Sequence, residues 1–208
     1  MNNLVNNLYQ QQQYQQILQQ QQLNSQANPQ QINQYLIKSM TNSVLSIVQI
    51  LGFDIPSNEK EHRIQLNTNT FTKPNSKAFE VILHYLLCQL DPERAQRTFM
   101  QCWPQLVKEQ QREFKDVTYA WLVEITSALK PQQQQQSNSN TSKSGTNSTQ
   151  QFIIQYQQLL QFVKFPIINK SLFLTHGIKI CELLYALAQF VLLVRVIKLS
   201  KYAFSIID

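Results

Sequence analysis

The stretch from Phe71 to Pro104 constrains the fold most, because it carries two helices together with their start and end signals. Asn75 follows Pro74 and can cap the first helix. The apolar residues that come next recur at the i, i+3, i+4 and i+7 spacing of a helix with one buried face. They are Phe79, Ile82, Leu83, Leu86, Leu87 and Leu90. This spacing predicts a helix that ends near Leu90.

The second helix of this stretch begins at Asp91-Pro92-Glu93. Asp91 can accept backbone N–H bonds as the N-cap, Pro92 suits the first helical position, and Glu93 complements the helix dipole. We expect the helix to end before Pro104, because a residue that precedes proline is pushed out of the α region. The residues predicted to point inward are Ala95, Phe99 and Met100.

An apolar stripe before this stretch predicts a helix over residues 32–51. Its predicted inward positions are Ile32, Leu36, Met40, Val44, Ile47, Val48 and Leu51. Gly52 follows, and glycine suits the left-handed conformation just past a helix end. Ser57 to Thr70 is polar and mixed, so we interpret it as a loop.

Three more helices are predicted after Pro104. The first is a helix from Val107 to Leu129. Its predicted inner face consists of Phe114, Val117, Trp121, Ile125 and either Ala128 or Leu129. The next is marked by Phe152, Ile153, Tyr156, Leu159, Leu160 and Val163. Thr175 can cap the last helix, which runs from Ile178 to Leu199 and is apolar nearly all round. We interpret this last helix as a central core helix.

Two polar tracts frame the helical pattern. Residues 1–31 are dominated by Gln and Asn, and residues 131–150 by Gln, Ser, Asn and Thr. Such composition is typical of disorder, because too few apolar residues are available to build a core. The sequence therefore predicts a compact all-α bundle over residues 32–199, with a disordered N-terminal arm, a disordered internal loop at 131–150 and a tail at 200–208.

Known catalytic and cofactor motifs are absent from the sequence. Three glycines are few for phosphate-binding loops, and the three cysteines lie in apolar helical patterns, where thiols are usually buried and inert. His84 and Cys88 share a helix face, with Cys102 as a third ligand, but no fourth zinc ligand stands at a useful spacing. A nucleophile–base pair such as Cys102 with His176 is left open by the sequence. We expect no enzyme activity, no metal and no cofactor.

The net charge of +6 is unevenly distributed along the chain. Residues 53–130 carry ten basic and ten acidic side chains, whereas residues 161–208 carry six basic and two acidic ones. A basic bias favours acidic partners such as nucleic acid, anionic lipid or acidic protein tails, and it does not choose among them.

A membrane role is a competing hypothesis, because the final helix is so apolar. Its uninterrupted run is shorter than the roughly 20 residues that span a bilayer, and Gln189 and Arg195 interrupt it. We therefore prefer the core-helix interpretation. A Gln-rich nuclear interaction protein is a further alternative.

Several short motifs, in order and at consistent spacing, resemble the N-terminal region of the sixth-subunit family of the augmin (HAUS) complex. The resemblance extends from about Leu45 to Lys198, apart from the polar insertion. It rests on Leu51-Gly52-Phe53, Phe71, Lys73, Asn75, Ala78-Phe79, Tyr85-Leu86, Leu90-Asp91, Cys102-Trp103-Pro104, Glu113-Phe114-Lys115, Trp121 and Ser171-Leu172-Phe173-Leu174.

The resemblance implies a calponin-homology-like helical domain with a structural role. Its expected partners are other augmin subunits, including a paired calponin-homology-like subunit, then tubulin in microtubules and, indirectly, the γ-tubulin ring complex. It implies localisation at the spindle, the cytoskeleton and the microtubule-organising centre, with no nucleic-acid partner. The family continues into long coiled coils, and this chain reaches Asp208 without heptads, so we expect an incomplete or divergent C-terminal end.

Two groups of residues follow from this hypothesis. The candidate contacts to acidic tubulin surfaces or to partner subunits are Lys73, Lys77, Arg94, Arg97, Lys108, Arg112, Lys115, Lys164, Lys170 and Lys179. The expected core anchors are Phe71, Phe79, Trp103, Phe114 and Trp121, because large aromatic side chains dominate burial energetics.

Overall fold

The computed structural model describes residues 28–105, 107–127, 162–170, 172 and 177–204. Within these ranges the chain is helical and has no strand, so the all-α prediction is confirmed. The helices are α1 (Pro29–Ile50), α2 (Ile55–His62), α3 (Ser76–Leu90), α4 (Pro92–Phe99), α5 (Lys108–Ser127) and α6 (Ile178–Phe204). The chain divides into two compact units, Met1–Leu36 and Ile37–Asp208.

Several predicted features lie outside the described residues. They are most of the N-terminal arm, the internal loop at 131–150, the helix pattern from Phe152 to Leu160, the Thr175 cap and His176. The limits of a domain over residues 32–199 and its calponin-homology-like topology stay predictions.

The start signals of α3 and α4 are confirmed. The Asn75 side chain accepts a hydrogen bond from the Ala78 backbone N–H at 3.1 Å. The Asp91 side chain accepts one from the Arg94 N–H at 3.0 Å, with Pro92 at the first helical position. Each cap satisfies one of the backbone donors that a helix N-terminus leaves without an internal partner.

The end of α1 at Gly52 is also as predicted. Gly52 has a φ of 99°, in the left-handed region that favours glycine. Its N–H donates to the Gln49 carbonyl at 2.9 Å, and the Phe53 N–H donates to the Val48 carbonyl at 2.8 Å. These two bonds form the Schellman arrangement, which turns the chain out of the helix.

The central helix of the fold is α3, and its burial exceeds the prediction of one buried face. No residue from Lys77 to Leu90 is exposed. The fully buried residues include all six predicted positions and also Ala78, Glu80 and Val81. α3 packs against α4 and α6, so its sides are covered by neighbouring helices.

Helices α1 and α6 run in the same direction, as three contacts at nearly constant sequence separation show. Gly177 lies beside Ile37, since a Cβ at that glycine would be 3.5 Å from the Ile37 Cδ1. Further along, the Thr41 Oγ1 is 3.6 Å from the Cys181 Sγ. At the end of α1, the Leu51 carbonyl accepts a hydrogen bond from the Arg195 guanidinium at 2.6 Å.

The predicted inward stripe of α1 is partly wrong. Ile32 and Leu36 are exposed, and the buried positions are Ile37, Thr41, Val44, Leu45 and Val48. Counting only apolar residues missed Thr41, whose hydroxyl donates to the Ile37 carbonyl at 2.7 Å. Because this bond satisfies the hydroxyl within the helix, a threonine is accommodated in the core.

The loop interpretation of Ser57 to Thr70 is wrong over its first part, where α2 forms. Asp54 is the N-cap and Pro56 occupies the first turn of this helix. The same Asp and Pro signals that predicted α4 were therefore present, separated by one extra residue. A short polar helix without any buried residue has no apolar period to reveal it.

Inward positions in α4 and α5 also need correction. α4 ends at Phe99, so Met100 lies past the last turn and is 73% exposed. In α5 the buried residues are Phe114, Thr118, Trp121, Leu122 and Ile125, whereas Val117 is only partly buried. Ala128 and Leu129 lie outside the described residues.

The final helix is longer than predicted. α6 contains a segment, Ile178–Ser200, of 23 residues that is long and apolar enough to cross a membrane by length and composition. Its apolar window is 56% buried against the rest of the chain. α6 packs against α3, and Leu183, Leu184, Leu187 and Val191 are almost completely buried. These contacts are typical of a core helix.

Adjacent residues at the end of α4 provide a test of this packing. Phe99→Ala should lower the free energy of unfolding by about 3–5 kcal/mol, because it removes a buried aromatic side chain. Met100→Ala, at an exposed neighbouring position, should change it by less than about 0.5 kcal/mol. Denaturant unfolding monitored by circular dichroism measures both values. Similar losses in the two variants would contradict the assigned end of α4.

Candidate partner-binding surface

An aromatic cluster connects α3, α5 and the turn after α4. The His84 ring of α3 stacks on the Trp103 indole, with ring centroids 3.9 Å apart and planes 8° from parallel. Phe114 of α5 lies 5.4 Å from the same indole, and Phe99 lies 4.9 Å from His84. Aromatic pairs at these separations stabilise beyond the area that they bury.

Four of the expected core anchors, Phe71, Phe79, Phe114 and Trp121, are buried to within 2% exposure. Trp103 differs, because it is only partly buried and packs at the margin of the core. Trp103 is therefore the large aromatic side chain of this set that remains accessible to a partner.

The histidine and thiol beside Trp103 are held in their uncharged forms. Burial lowers the pKa of His84 to about 4, and the neighbouring His62 adds to the effect. Burial raises the pKa of the Cys88 thiol to about 11. At neutral pH His84 is thus a neutral stacking partner, and its Nε2 lies 3.6 Å from the protonated Cys88 Sγ.

The residues considered for metal or nucleophilic chemistry have other contacts. Cys102 is buried, and burial raises the pKa of its thiol, with Glu113 adding to the effect. The Cys102 Sγ lies 3.8 Å from the Thr98 carbonyl oxygen. Its considered base, His176, lies outside the described residues. All three cysteines are free thiols.

Lys77 and His62 also contact the Trp103 indole. The Lys77 ammonium is 5.8 Å from the centre of the indole ring, within the range of a cation–π interaction. The His62 ring, at the end of α2, meets the indole edge-on at 5.7 Å. Burial, ahead of repulsion from Lys77, lowers the pKa of His62, and Glu61 opposes this. Lys77 accordingly places a positive charge beside this ring.

Glu80 is a buried carboxyl group on α3, and burial raises its pKa. Two lysines offset part of this shift, and the Lys115 ammonium lies 3.8 Å from the Glu80 Oε1. Lys115 therefore has a structural partner that links α5 to α3. A buried carboxylate without this partner would carry a larger desolvation cost.

Of the ten predicted basic contacts, four are engaged within the chain. Besides Lys77 and Lys115, Arg94 bonds Glu124 at 2.8 Å and lies 4.3 Å from the Trp121 ring centre. Lys170 bonds Asp116 at 3.0 Å and lies 5.7 Å from the Tyr119 ring. The remaining six have exposed side chains: Lys73, Arg97, Lys108, Arg112, Lys164 and Lys179.

Sequence reasoning did not single out Arg63 and Lys60 of the α2 region. Both are exposed, and Arg63 directly follows His62, which touches Trp103. Arg63 caps α2 in the left-handed conformation, with a φ of 53°. The sequence analysis overlooked these two residues because it interpreted the segment as a loop, and a loop gives the side chains of Lys60 and Arg63 no fixed position.

The region that contains this aromatic cluster is similar to a known protein family. Residues 44–140 match the family described as HAUS augmin-like complex subunit 6 N-terminus. This region is therefore similar to the N-terminal region of that subunit family. His62, Lys77, His84, Trp103 and Phe114 all fall within it.

A curated relative agrees with the assignment. HAUS augmin-like complex subunit 6 of Danio rerio is 41% identical over 64 residues. These residues are 31% of this chain and 8% of the relative, so the similarity covers a small part of that longer protein. These two matches confirm the resemblance to the subunit 6 N-terminal region that the sequence motifs indicated.

The burial of His84 predicts a specific pH dependence of stability. Its pKa is about 4 in the folded chain and near 6.5 when unfolded, so the unfolded chain binds the additional proton between these values. Stability is therefore lost as the pH falls through this window. Lowering the pH from about 7.5 to about 5 should cost about 2 kcal/mol through His84.

Urea unfolding of His84→Gln, compared with the unchanged chain at both pH values, measures this contribution. The variant should be less stable at the higher pH, because it loses the stacking on Trp103, but its stability should fall less on acidification. Glu80 has a raised pKa and acts in the opposite direction in both proteins, so the comparison cancels it. Equal pH slopes would contradict a neutral, buried His84.

Proposed function

We propose that this chain serves as a non-catalytic subunit of an augmin complex and helps to dock the complex on spindle microtubules. Docking would place the assembly where γ-tubulin-dependent branching nucleation occurs. The match of residues 44–140 to the subunit 6 N-terminal family supports the proposal. The Danio rerio relative is likewise named as a subunit of a complex.

The observation that carries the docking proposal is the exposure of six of the predicted basic residues. Lys73, Arg97, Lys108 and Arg112 lie inside the matched region, and Lys164 and Lys179 lie outside it. Exposed cations attract acidic surfaces over a distance of about one Debye length, roughly 8–10 Å at moderate salt. Tubulin presents such acidic surfaces, so several weak contacts would add up to a salt-sensitive attachment.

The engaged cations restrict where this attachment can occur. Arg94 bridges α4 to α5, and Lys115 bridges α5 to the buried Glu80 of α3. Releasing either one for an external partner would break an internal ion pair. The docking surface that we propose therefore uses the exposed group and leaves these two bridges intact.

The same hypothesis also suggests partners, a cellular location and a topology for the chain. We propose other augmin subunits as direct partners, among them a paired calponin-homology-like subunit, and the γ-tubulin ring complex as an indirect one. Localisation would be on the spindle and cytoskeleton and at the microtubule-organising centre. A calponin-homology-like topology would suit an all-α domain with α3 and α6 at its centre.

Charge reversal on α5 tests the docking proposal. Lys108→Glu/Arg112→Glu in the 208-residue chain should weaken co-sedimentation with microtubules by about tenfold, since each exposed contact contributes up to about 1 kcal/mol. Raised salt, or removal of the acidic tubulin tails, should weaken binding of the unchanged chain.

The matched control is Lys108→Arg/Arg112→Lys, which keeps both charges and should pellet like the unchanged chain. A folded chain that does not pellet at low salt would rule out direct docking and leave a role through partner subunits alone. Recovery of the chain only with detergent or liposomes would favour the membrane hypothesis instead.

A further inference from the structure

An open groove lies where the end of α5 meets the segment of residues 162–168. Its volume is about 340 Å³. The residues of α5 that line it are Val123, Thr126 and Ser127, and the segment contributes the four consecutive residues Phe165-Pro166-Ile167-Ile168. Ligand pockets in proteins have volumes of roughly 300–1,000 Å³, so this groove can hold a few side chains of a bound molecule.

The lining of the groove is apolar in character. The Thr126 and Ser127 hydroxyls donate to carbonyl groups of α5 itself, each at 2.9 Å, so neither needs a partner from outside the helix. The Phe165 ring packs edge-on against Phe190 of α6, with ring centroids 6.2 Å apart, and this contact anchors the segment to the core. The groove therefore suits apolar side chains better than polar ones.

Two large apolar side chains of the same segment are left in contact with solvent. Phe162 is 73% exposed and Ile167 is 88% exposed, whereas Val163 between them is buried. Single exposed apolar residues are common on protein surfaces, but an apolar groove with exposed apolar residues at its edge is typical of an interaction site.

The backbone of the segment has hydrogen-bonding groups that the rest of the described chain does not use. Residues 164–168 form no helix, strand or turn, and no described residue makes a hydrogen bond to their N–H or C=O groups. Pro166 also restricts Phe165 to the extended region of backbone conformations. Such a segment can bind an extended peptide through main-chain hydrogen bonds, as an exposed sheet edge does.

Lys164 is the charge that an occupant of this groove would meet. The charged residues over 119–127 and 162–170 are Glu124, Lys164 and Lys170. Glu124 and Lys170 already have ion-pair partners, at 2.8 and 3.0 Å. Lys164 is exposed and forms no ion pair with any residue that the structure describes. One carboxylate on the occupant would complement it.

We propose that this groove, the Ile167 groove, binds an extended and largely apolar peptide segment of a partner protein. The segment would pair its backbone with residues 164–168, place alternate apolar side chains between α5 and Ile167, and bring one carboxylate to Lys164. A partner helix fits less well, because its backbone groups are already bonded within the helix. This interaction is separate from the proposed microtubule docking and does not depend on it.

A second copy of this chain is a poorer occupant than a different protein. Its own segment 164–168 would have to pair with itself, and Pro166 at the centre has no N–H to donate. Self-pairing would also bring two positively charged segments together, since Lys164 and Lys170 stand at either end of the lining residues.

The test uses the 208-residue chain and a fluorescein-labelled hexapeptide that begins with glutamate and continues with alternating valine and threonine. Fluorescence anisotropy should show saturable binding. A hexapeptide with the same side chains but N-methyl groups on alternate backbone nitrogens should bind about tenfold more weakly, because it loses main-chain donors. Replacing the glutamate with glutamine should weaken binding by about threefold, as expected for one exposed ion pair.

Ile167→Asp is the corresponding change in the protein. It replaces an apolar side chain of the groove with a carboxylate and should weaken binding of the first hexapeptide by about tenfold. The matched control is Met100→Asp, the same kind of change at a 73% exposed position that does not line the groove, and it should bind like the unchanged chain. Both positions are exposed, so both variants should keep their fold, which circular dichroism and thermal unfolding check.

Absence of binding, equal affinities for the plain and N-methylated peptides, or equal affinities for the two variants would overturn the Ile167 groove as a peptide site. A dimer of the unchanged chain that Ile167→Asp dissociates, measured by sedimentation velocity, would assign the groove to a second copy and overturn the proposal. Ile167→Asp retains every cation of the chain, so its microtubule pelleting tests the docking proposal separately.

Discussion

The deep burial of α3 is the constraint on which the rest of the structure depends. From Lys77 to Leu90 no residue of this helix is exposed, so every other element must leave room for it. α4 turns back on it directly after Asp91, and α6 covers another side. The one carboxylate buried within it, Glu80, requires a cation, and Lys115 of α5 provides it. The packing of α3 thus determines both the apolar and the ionic contacts of its neighbours.

The helices that the sequence predicted well are those in which local and tertiary signals agree. α3 and α4 have Asn75 and Asp91 as caps, and an apolar period follows each cap. α2 was missed because it buries no residue, so that only its Asp54 cap could reveal it. In α1 the apolar stripe also missed Thr41, which satisfies its own hydroxyl within the helix and enters the core. The spacing of apolar residues cannot identify a buried polar residue whose hydrogen-bond partner lies within the same helix.

The sequence was also insufficient to define the candidate partner-binding surface. Sequence identified ten basic residues but could not distinguish cations that pair with Glu80, Asp116 or Glu124 from cations that remain exposed. That distinction depends on which helices meet, and it is a property of tertiary packing. Trp103 was likewise predicted as a core anchor, although the structure leaves it partly accessible beside Lys77. Its position follows from the turn between α4 and α5, which has no periodic signal.

The carbonyl group of Leu51 joins three helices at a single atom. It ends α1 and accepts hydrogen bonds from the Tyr85 hydroxyl of α3 at 2.8 Å and from the Arg195 guanidinium of α6 at 2.6 Å. Arg195 directly follows the buried Val194, and Ile197 further along α6 still packs against the margin of the core. A mechanical load applied to α6 at Arg195 is therefore shared with α1 and α3, so the three helices resist it together.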